Sequence, residues 1–191
     1  MPRAGVTAAR VVACAADIVD DVGWEGLTLA LVADRLGVRV PSLYKHIVSL
    51  DALRSDVAVA STSEIAATLR DASVGVAGAD ALRALANAYR SYAHAHPGRY
   101  ASLQRADADP ASPLHRAADE VVGLFATVLI GYRIDGDDLV DAARAVRSSL
   151  HGFVSLEAIG GFGLPRDIDR SFDRLVAGLD AMLRGWDGAA P

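Results

Sequence analysis

The feature that most constrains this chain is the stretch from Thr28 to His46, TLALVADRLGVRVPSLYKH. Thr28 is a residue type that caps helix N-termini, and Val32 begins an apolar pattern at helical spacing. Gly37 can adopt the left-handed backbone that a sharp turn after a helix requires, while Pro41 suits the first turn of the next helix. The stretch therefore predicts two short helices joined by a tight turn, which is a helix-turn-helix.

The second of these helices presents a short polar face. Leu43 and Ile47 share its apolar side, so the residues between and before them point outward. Hydrogen-bonding and cationic groups without a carboxylate suit a DNA major groove flanked by phosphates. An ordinary solvent-exposed helix face is the alternative interpretation, and the flanking glycine, proline and apolar residues favour DNA contact. The candidate DNA-binding residues are Thr28, Arg39, Val40, Pro41, Ser42, Tyr44, Lys45 and His46.

This region resembles the N-terminal domain of the tetracycline-repressor (TetR-like) family of bacterial regulators. The resemblance implies an all-α homodimer that binds an operator and releases it when a small molecule binds. Two departures bear on contacts with the DNA backbone. Leu29 and Ala30 stand where members usually carry Thr or Ser and then a polar or basic residue, and Leu50 replaces a lysine that usually meets a phosphate. The matching residues are Gly23, Leu27, Thr28, Val32, Ala33, Leu36 to Val38, Pro41 to Tyr44, His46 and Leu53.

The second half of the chain resembles the C-terminal domain of a TetR-like subfamily named for a Trp-His-Gly signature. Leu150 replaces the tryptophan here, while His151 and Gly152 are kept. Segments on both sides of this signature take part in the resemblance, in the expected order. They are Tyr89 to Tyr100, Ser112 to Ala117 and Leu150 to Gly163.

Length and composition predict an all-α protein of about nine helices. The 191 residues can bury a substantial core, and 52% of them are apolar without the alternation typical of strands. We expect a helix-turn-helix DNA-binding domain at residues 1–48 and a ligand-binding and dimerisation domain at 49–191. A helix from about residue 49 to 71 would connect them.

The net charge of −5 argues against a strongly basic, nonspecific nucleic-acid binder. Residues 1–56 carry six Lys or Arg and seven Asp or Glu, which gives −1 for that part of the chain. A specific binder can still function if its few cations lie on the contact face. The charge balance is therefore compatible with a helix-turn-helix that reads a defined site.

Catalytic and metal-binding patterns are weak in this sequence. His94 and His96 lie two residues apart, and such residues do not face each other on a helix. We find no phosphate-binding glycine loop and no nucleophile motif, so we expect neither an enzyme nor a bound cofactor or metal. Cys14 is the single cysteine, which favours a reducing compartment, and the longest apolar run, Gly123 to Tyr132, is too short to span a membrane. The expected location is cytoplasmic.

Helices five to eight are predicted to enclose an apolar inducer cavity. Tyrosine hydroxyls can orient a ligand within an apolar cleft. The aromatic residues Tyr89, Tyr92 and Phe125 could equally belong to an ordinary hydrophobic core. Glycine is unfavourable inside a helix, so Gly152 beside His151 needs an explanation. It either allows close helix packing or forms part of a cavity wall. The candidate ligand-binding residues are Tyr89, Tyr92, Leu103, Phe125, Leu129 and His151.

The last two helices are predicted to form a homodimer interface as a four-helix bundle, because the final helix has a broad apolar face. The sequence thus indicates a ligand-responsive transcriptional regulator, with an all-α enzyme or a carrier of a hydrophobic ligand as the alternative. A member that has lost operator binding is a third possibility. The candidate interface residues are Phe153, Leu156, Phe172, Leu175, Leu179 and Met182.

Overall fold

A computed structural model describes residues 6–104 and 109–186 of the chain. Within these ranges the backbone forms α-helices and no strand, which confirms the all-α prediction. None of the helices described is long and apolar enough to cross a membrane. The helices are α1 (Ala8–Val22), α2 (Leu29–Leu36), α3 (Val40–Leu43), α4 (Leu50–Ser73), α5 (Gly78–Ala95), α6 (Pro97–Ser102), α7 (Pro113–Ile130), α8 (Gly136–Ala158) and α9 (Ile168–Arg184).

The described residues fall into two compact units. The first unit takes its residues from Met1–Glu64 and Ala95–Ala118, and the second from Ile65–His94 and Asp119–Pro191. The first unit therefore contains α6 and the beginning of α7 in addition to α1, α2, α3 and the first part of α4. The sequence-based division at residue 48 did not anticipate that α6 belongs with the helix-turn-helix, and as a division of function it stays a prediction.

The core of the first unit is built on one face of α1. The side chain of Thr7 caps this helix by accepting a hydrogen bond from the Arg10 N–H at 3.3 Å. Apolar residues of α1 then recur every three to four positions, so one face can be buried against α2, α3 and α4. The largest members of this core are Ile18, Leu27, Leu43 and Leu53, all at most 1% exposed.

Cys14 is part of the same core. Its side chain is buried and forms no disulfide, as a structural cysteine in a helix would be. Burial raises the pKa of the Cys14 thiol above its usual value, since desolvation penalises the thiolate. The thiol therefore packs as a small apolar group.

The first turn of α6 lies in backbone contact with α1. A Cβ atom at Gly98 would lie 1.8 Å from the carbonyl oxygen of Val19, so only glycine fits there. The next residue, Arg99, donates its backbone N–H to a carboxylate oxygen of Asp20 at 2.9 Å. This carboxylate from α1 thus satisfies an amide in the first turn of α6 that has no partner within its own helix.

Side-chain ion pairs reinforce this contact. The Arg99 guanidinium lies 3.1 Å from carboxylate oxygens of Asp20 and Glu64, and it also contacts Asp17. The Arg99 side chain is only 13% exposed, so water screens these interactions less than at the surface. Together the contacts fix α6 to both α1 and α4.

The second unit is formed by the remaining helices, each of which buries one apolar stripe. In α5 the stripe begins at Leu82 and Leu85, and in α9 it runs from Phe172 to Leu183. Gly185 follows the last turn of α9, and its N–H donates to the carbonyl oxygens of Ala181 and Met182. The chain enters this unit within α4, leaves it at the end of α5 and returns to it within α7.

Replacing Gly98 by alanine should destabilise the protein by about 3 kcal/mol or more, because the new methyl group would overlap backbone atoms of α1. Urea unfolding measures this change. The control is Gly123→Ala in α7, where the added methyl group meets nothing within 4 Å. That control should raise stability by up to ~1 kcal/mol through helix propensity. Equal stability of the two variants would contradict the close contact between α6 and α1.

Candidate nucleic-acid interface

The turn between α2 and α3 has the geometry that the sequence predicts. Thr28 begins α2 by accepting a hydrogen bond from the Leu31 N–H at 3.3 Å. Gly37 ends the helix in the left-handed region, with φ 68° and ψ 35°. The next N–H, that of Val38, donates to the carbonyl oxygen of Ala33 at 2.9 Å. This is the hydrogen bond of a glycine-terminated helix C-cap, and it sets the direction in which the chain enters α3.

The second helix of the motif is shorter than expected. It ends at Leu43 rather than continuing through His46, because the His46 N–H donates to the carbonyl of Leu43 at 2.8 Å, three residues back. The following N–H, of Ile47, reaches the same carbonyl at 3.1 Å. Tyr44 and Lys45 therefore lie in a tight turn that continues from the helix.

Burial separates the supporting residues of this segment from those available to a ligand. Leu43 is fully buried and Ile47 is 6% exposed, whereas Tyr44 keeps 56% of its surface exposed. Burying a leucine side chain completely contributes about 1.5–3 kcal/mol. Of the predicted DNA-binding residues, those that are exposed are Thr28, Arg39, Pro41, Tyr44 and Lys45, and those that are half-buried are Val40, Ser42 and His46.

The cations of the motif differ in whether they are neutralised. Arg35 in α2 pairs with Asp21 of α1 at 2.7 Å. Arg39 and Lys45 are exposed and form no ion pair with any carboxylate of the described residues. The positive charge of the segment that follows Gly37 is therefore available to a partner outside the chain.

The structure also accounts for two of the departures from the family pattern. Leu29 and Leu50 are partly buried and pack against the core of the helix-turn-helix. Ala30, in contrast, is exposed. At residues 29 and 50 the side chain therefore supports the core of this unit instead of offering a polar group to DNA.

The predicted ligand-binding residues divide between the two units. Tyr89 and Phe125 are buried in the second unit, where their rings meet edge to face with centroids 6.2 Å apart. Tyr92 and Leu129 are buried in the same unit, whereas Leu103 belongs to the first. A role of these residues in binding an inducer stays a prediction.

His151 and Gly152 lie side by side near the middle of α8. His151 is half-buried, and burial together with the nearby Arg147 lowers the pKa of its imidazole. A Cβ atom at Gly152 would meet nothing within 4 Å, so close packing within the chain does not explain this glycine. The other interpretation, that Gly152 forms part of a cavity wall, stays a prediction.

The two neighbouring histidines turn to different partners. His94 Nε2 lies 2.8 Å from a carboxylate oxygen of Glu157, and His96 Nδ1 lies 3.1 Å from one of Asp20. These contacts belong to different units of the chain. Each imidazole therefore pairs with a carboxylate, and the two do not converge on a shared site.

A partly buried arginine joins α5, α8 and α9 in the second unit. Arg90 donates from Nε to Glu157 at 2.9 Å and from a terminal nitrogen to Asp169 at 2.7 Å. Its guanidinium lies 4.7 Å from the centre of the Phe172 ring and 5.8 Å from that of Phe153. Such contacts add cation–π attraction to the ion pairs. Sequence reasoning did not find this cluster.

The exposure of the predicted dimer residues corrects part of that prediction. Phe172 and Leu179 are 1% and 5% exposed within the single chain, so they belong to its core and cannot supply interface surface. An amphipathic pattern identifies an apolar face, but the chain itself covers these two side chains. Leu156 and Met182 remain exposed, at 46% and 36%. Phe153 and Leu175 are half-buried.

Comparison with known proteins assigns the family. Residues 82–179 match the tetracyclin repressor-like C-terminal domain family. An HTH-type transcriptional regulator of Mycobacterium tuberculosis, Rv0681, is 38% identical over 175 residues, which cover 89% of this chain and 80% of that relative. The chain belongs to the TetR-like family of transcriptional regulators. It is therefore a DNA-binding regulator and not an enzyme, as the sequence predicts.

Solved structures agree with this fold. A protein of unknown function from Rhodococcus sp. RHA1 has a TM-score of 0.77 at 24% identity, with both chains covered completely. The transcriptional regulator FadR from Bacillus subtilis, solved in complex with stearoyl-CoA, has a TM-score of 0.68 at 10% identity. That match covers 92% of this chain and 96% of FadR. The Trp-His-Gly subfamily stays a prediction, because the description of the matched domain family does not name that signature.

The ion pairs of Glu157 make the second unit of the regulator sensitive to acid. Hydrogen bonds from Arg90 lower the pKa of Glu157 in the folded protein. The resulting stabilisation is complete above the pKa of the unfolded chain and is lost as pH falls through the lower, folded pKa. Glu157→Gln should therefore reduce the loss of unfolding free energy between about pH 6 and pH 3.

Urea unfolding across this pH range measures the effect, with the exposed Glu25→Gln as control. The control should keep the wild-type pH dependence. If Glu157→Gln also keeps it, Glu157 does not hold the pairing seen with Arg90.

Proposed function

We propose that the chain is a one-component repressor that binds a palindromic operator as a homodimer and releases it when a small apolar or aromatic inducer binds. Residues 1–48 then act as the DNA-binding domain and 49–191 as the ligand-binding and dimerisation domain. A repressor of this type works in the cytoplasm, where the operator is. The family membership supports this proposal, and the arrangement of the residues makes it specific.

The observation that carries the proposal is that two cations without an ion-pair partner lie on the recognition segment, which we define as Arg39 to His46. Arg39 and Lys45 are exposed and lack an ion-pair partner among the described residues, in a chain of net charge −5. An acidic protein as a whole is attracted to DNA only weakly. A few well-placed cations must therefore provide most of its electrostatic attraction to the operator. These two lie at the start and just beyond the end of α3.

Contacts can be assigned by side-chain chemistry. Arg39 and Lys45 are the candidates for guanine edges or nearby phosphates, since both present N–H donors and positive charge. The Tyr44 hydroxyl and the His46 imidazole suit phosphate oxygens. Val40 and Ser42 can contact a thymine methyl group, because both are small and half-buried.

Dimer formation is proposed through the exposed apolar residues of α8 and α9. Leu156 and Met182 are exposed and Leu175 is half-buried, so their burial against a second copy would be favourable. A two-fold dimer places two recognition segments on one side of the DNA. The two half-sites would lie about 34 Å apart, which is one turn of the duplex. The two-fold symmetry of the dimer would make the operator a palindrome.

The inducer is proposed to bind among the buried aromatic residues of the second unit. Tyr89 and Tyr92 provide hydroxyl groups among apolar neighbours such as Phe125 and Leu129, and His151 offers a ring nitrogen. This composition favours a neutral or weakly acidic, aromatic or fatty molecule. The likeness in fold to FadR, solved with stearoyl-CoA, agrees with a fatty ligand.

Removing the charge of Lys45 should weaken operator binding. Lys45→Ala should cost about 1–3 kcal/mol if the side chain reads a base, and it should relax the preference at one position of each half-site. Mobility shift against the DNA upstream of the gene, followed by binding to every single-base variant of the bound fragment, measures both effects. The same assay with a panel of fatty and aromatic molecules identifies the inducer.

Two variants serve as controls for this experiment. Tyr44→Phe, which removes one hydroxyl group, should weaken all sequences alike because phosphate contacts carry no base preference. Arg147→Ala, an exposed cation of α8, should leave operator affinity unchanged. If the wild type binds every duplex equally at low salt, the repressor proposal is wrong.

Charging the exposed face of α8 and α9 should break the dimer. Leu156→Glu together with Met182→Glu should give monomers that bind the operator more than about tenfold more weakly, because each half-site is then engaged separately. Sedimentation or light scattering at micromolar concentration measures the mass, and circular dichroism verifies that the helices remain. Both positions are exposed in the single chain, so the substitutions should not unfold it.

The matched control is Val74→Glu with Val122→Glu, two exposed apolar residues outside α8 and α9. This variant should keep the mass and the operator affinity of the wild type. A wild type that is monomeric at micromolar concentration would show that the dimer proposal is wrong.

A further inference from the structure

A groove of about 650 Å³ lies at the beginning of α9, away from the buried aromatic residues assigned to the inducer. Its volume lies within the range of about 300–1,000 Å³ that small-molecule sites occupy. Three of its six residues are arginines, and all three are exposed. The lining residues are Pro165, Arg166, Asp167, Arg170, Ser171 and Arg174.

Two of the three arginines share one face of α9. Arg170 and Arg174 are four residues apart within the helix, and such positions face the same side. Arg166 precedes the N-cap residue Asp167 and lines the same groove from outside the helix. Four residues of α-helix rise about 6 Å. Arg170 and Arg174, both within α9, therefore present two guanidinium groups that one extended ligand can contact together.

These guanidinium groups are not neutralised by the aspartates that alternate with them in sequence. Asp167 caps α9 by accepting from the Arg170 backbone N–H at 3.2 Å, and Asp169 pairs with Arg90 at 2.7 Å. Asp173 is exposed and forms no ion pair with the arginines. The three arginines form no ion pair with a carboxylate anywhere in the described ranges.

Several other arginines of this acidic chain are neutralised within the chain. Arg35, Arg70, Arg90 and Arg99 each pair with a carboxylate from another helix, and Arg184 pairs with Asp180. Three arginines against one aspartate, Asp167, give the lining of this groove a local excess of positive charge. An uncompensated group of this kind attracts anions and repels basic partners.

We propose that this groove binds an anionic ligand that carries at least two linked phosphate groups. A guanidinium group donates two parallel hydrogen bonds to a phosphate, so two arginines about one helical turn apart suit a polyphosphate better than a single anion. Ser171 offers a hydroxyl at the same surface, although it already donates to the Asp167 carbonyl at 3.0 Å. The phosphates can belong to a small polyphosphate ester or to a nucleic-acid backbone.

The proposed dimer contact leaves Arg170 and Arg174 accessible. Leu175 follows Arg174 directly and therefore lies about 100° further round the helix. Met182 is seven residues beyond Leu175, which brings it back to nearly the same side. Arg170 and Arg174 thus lie on a different side of α9 from Leu175 and Met182, and the groove residue Ser171 borders the apolar side.

Calorimetric titration with inorganic pyrophosphate tests this site. The wild type should show saturable binding of one pyrophosphate per chain, weakened by salt. Arg170→Gln with Arg174→Gln should weaken this binding about tenfold or more, since two charge-assisted contacts are lost. The matched control, Arg144→Gln with Arg147→Gln on α8, removes the same charge and should change the affinity less than about twofold. All four arginines are exposed, so the variants should keep the fold.

Parallel titrations with ATP and with a single-stranded oligodeoxynucleotide distinguish the source of the phosphates. Tighter binding of ATP through Arg170 and Arg174 indicates a small polyphosphate ester, and tighter binding of the oligonucleotide through the same pair indicates a nucleic-acid backbone. The proposal fails if none of the three probes binds saturably. It also fails if the control variant loses as much affinity as the Arg170 and Arg174 variant, since overall charge alone would then explain binding.

Discussion

The burial of Leu43 and Ile47 against the core built on α1 determines the geometry on which DNA binding depends. A helix of four residues is not stable in isolation, because nucleating a helical turn costs more than its few hydrogen bonds return. The position of α3 is therefore imposed by what it packs against. The exposed side chains of Tyr44 and Lys45, which we propose contact DNA, are oriented by buried neighbours.

Charge pairing complements this packing. The chain carries 24 acidic and 19 basic residues, and many of its arginines lie against carboxylates from distant parts of the sequence. Arg90 with Glu157 and Arg99 with Asp20 are partly buried examples that tie separate helices together. Because these cations are neutralised locally, the outward positive charge is limited to a few places. The recognition segment and the beginning of α9 are two of them.

The local features of this fold could be predicted from the sequence. The caps at Thr7, Thr28 and Gly37 act over three or four residues, so residue type alone indicates where those helices begin or end. The apolar spacing of α1 and α9 likewise identifies their buried faces. The early end of α3 was not predictable, since it depends on how one turn settles onto the core.

Features that depend on distant contacts could not be predicted. Arg90 and Glu157 are 67 residues apart, and no spacing rule connects them. Gly98 gives no local indication that the Val19 carbonyl lies against it. Periodicity placed Phe172 on an apolar face of α9, but it could not tell whether its own chain or a second copy covers that side chain.

The buried Cys14 has a practical consequence for following the dynamics of this regulator. It is the single cysteine of the chain, and it lies in the core beneath the helix-turn-helix. A thiol reagent can modify it only when that core opens, so the labelling rate reports the opening equilibrium of the DNA-binding unit alone. The native sequence thus carries its own site-specific probe, and each tenfold decrease in the rate on adding operator DNA corresponds to about 1.4 kcal/mol of added local stability.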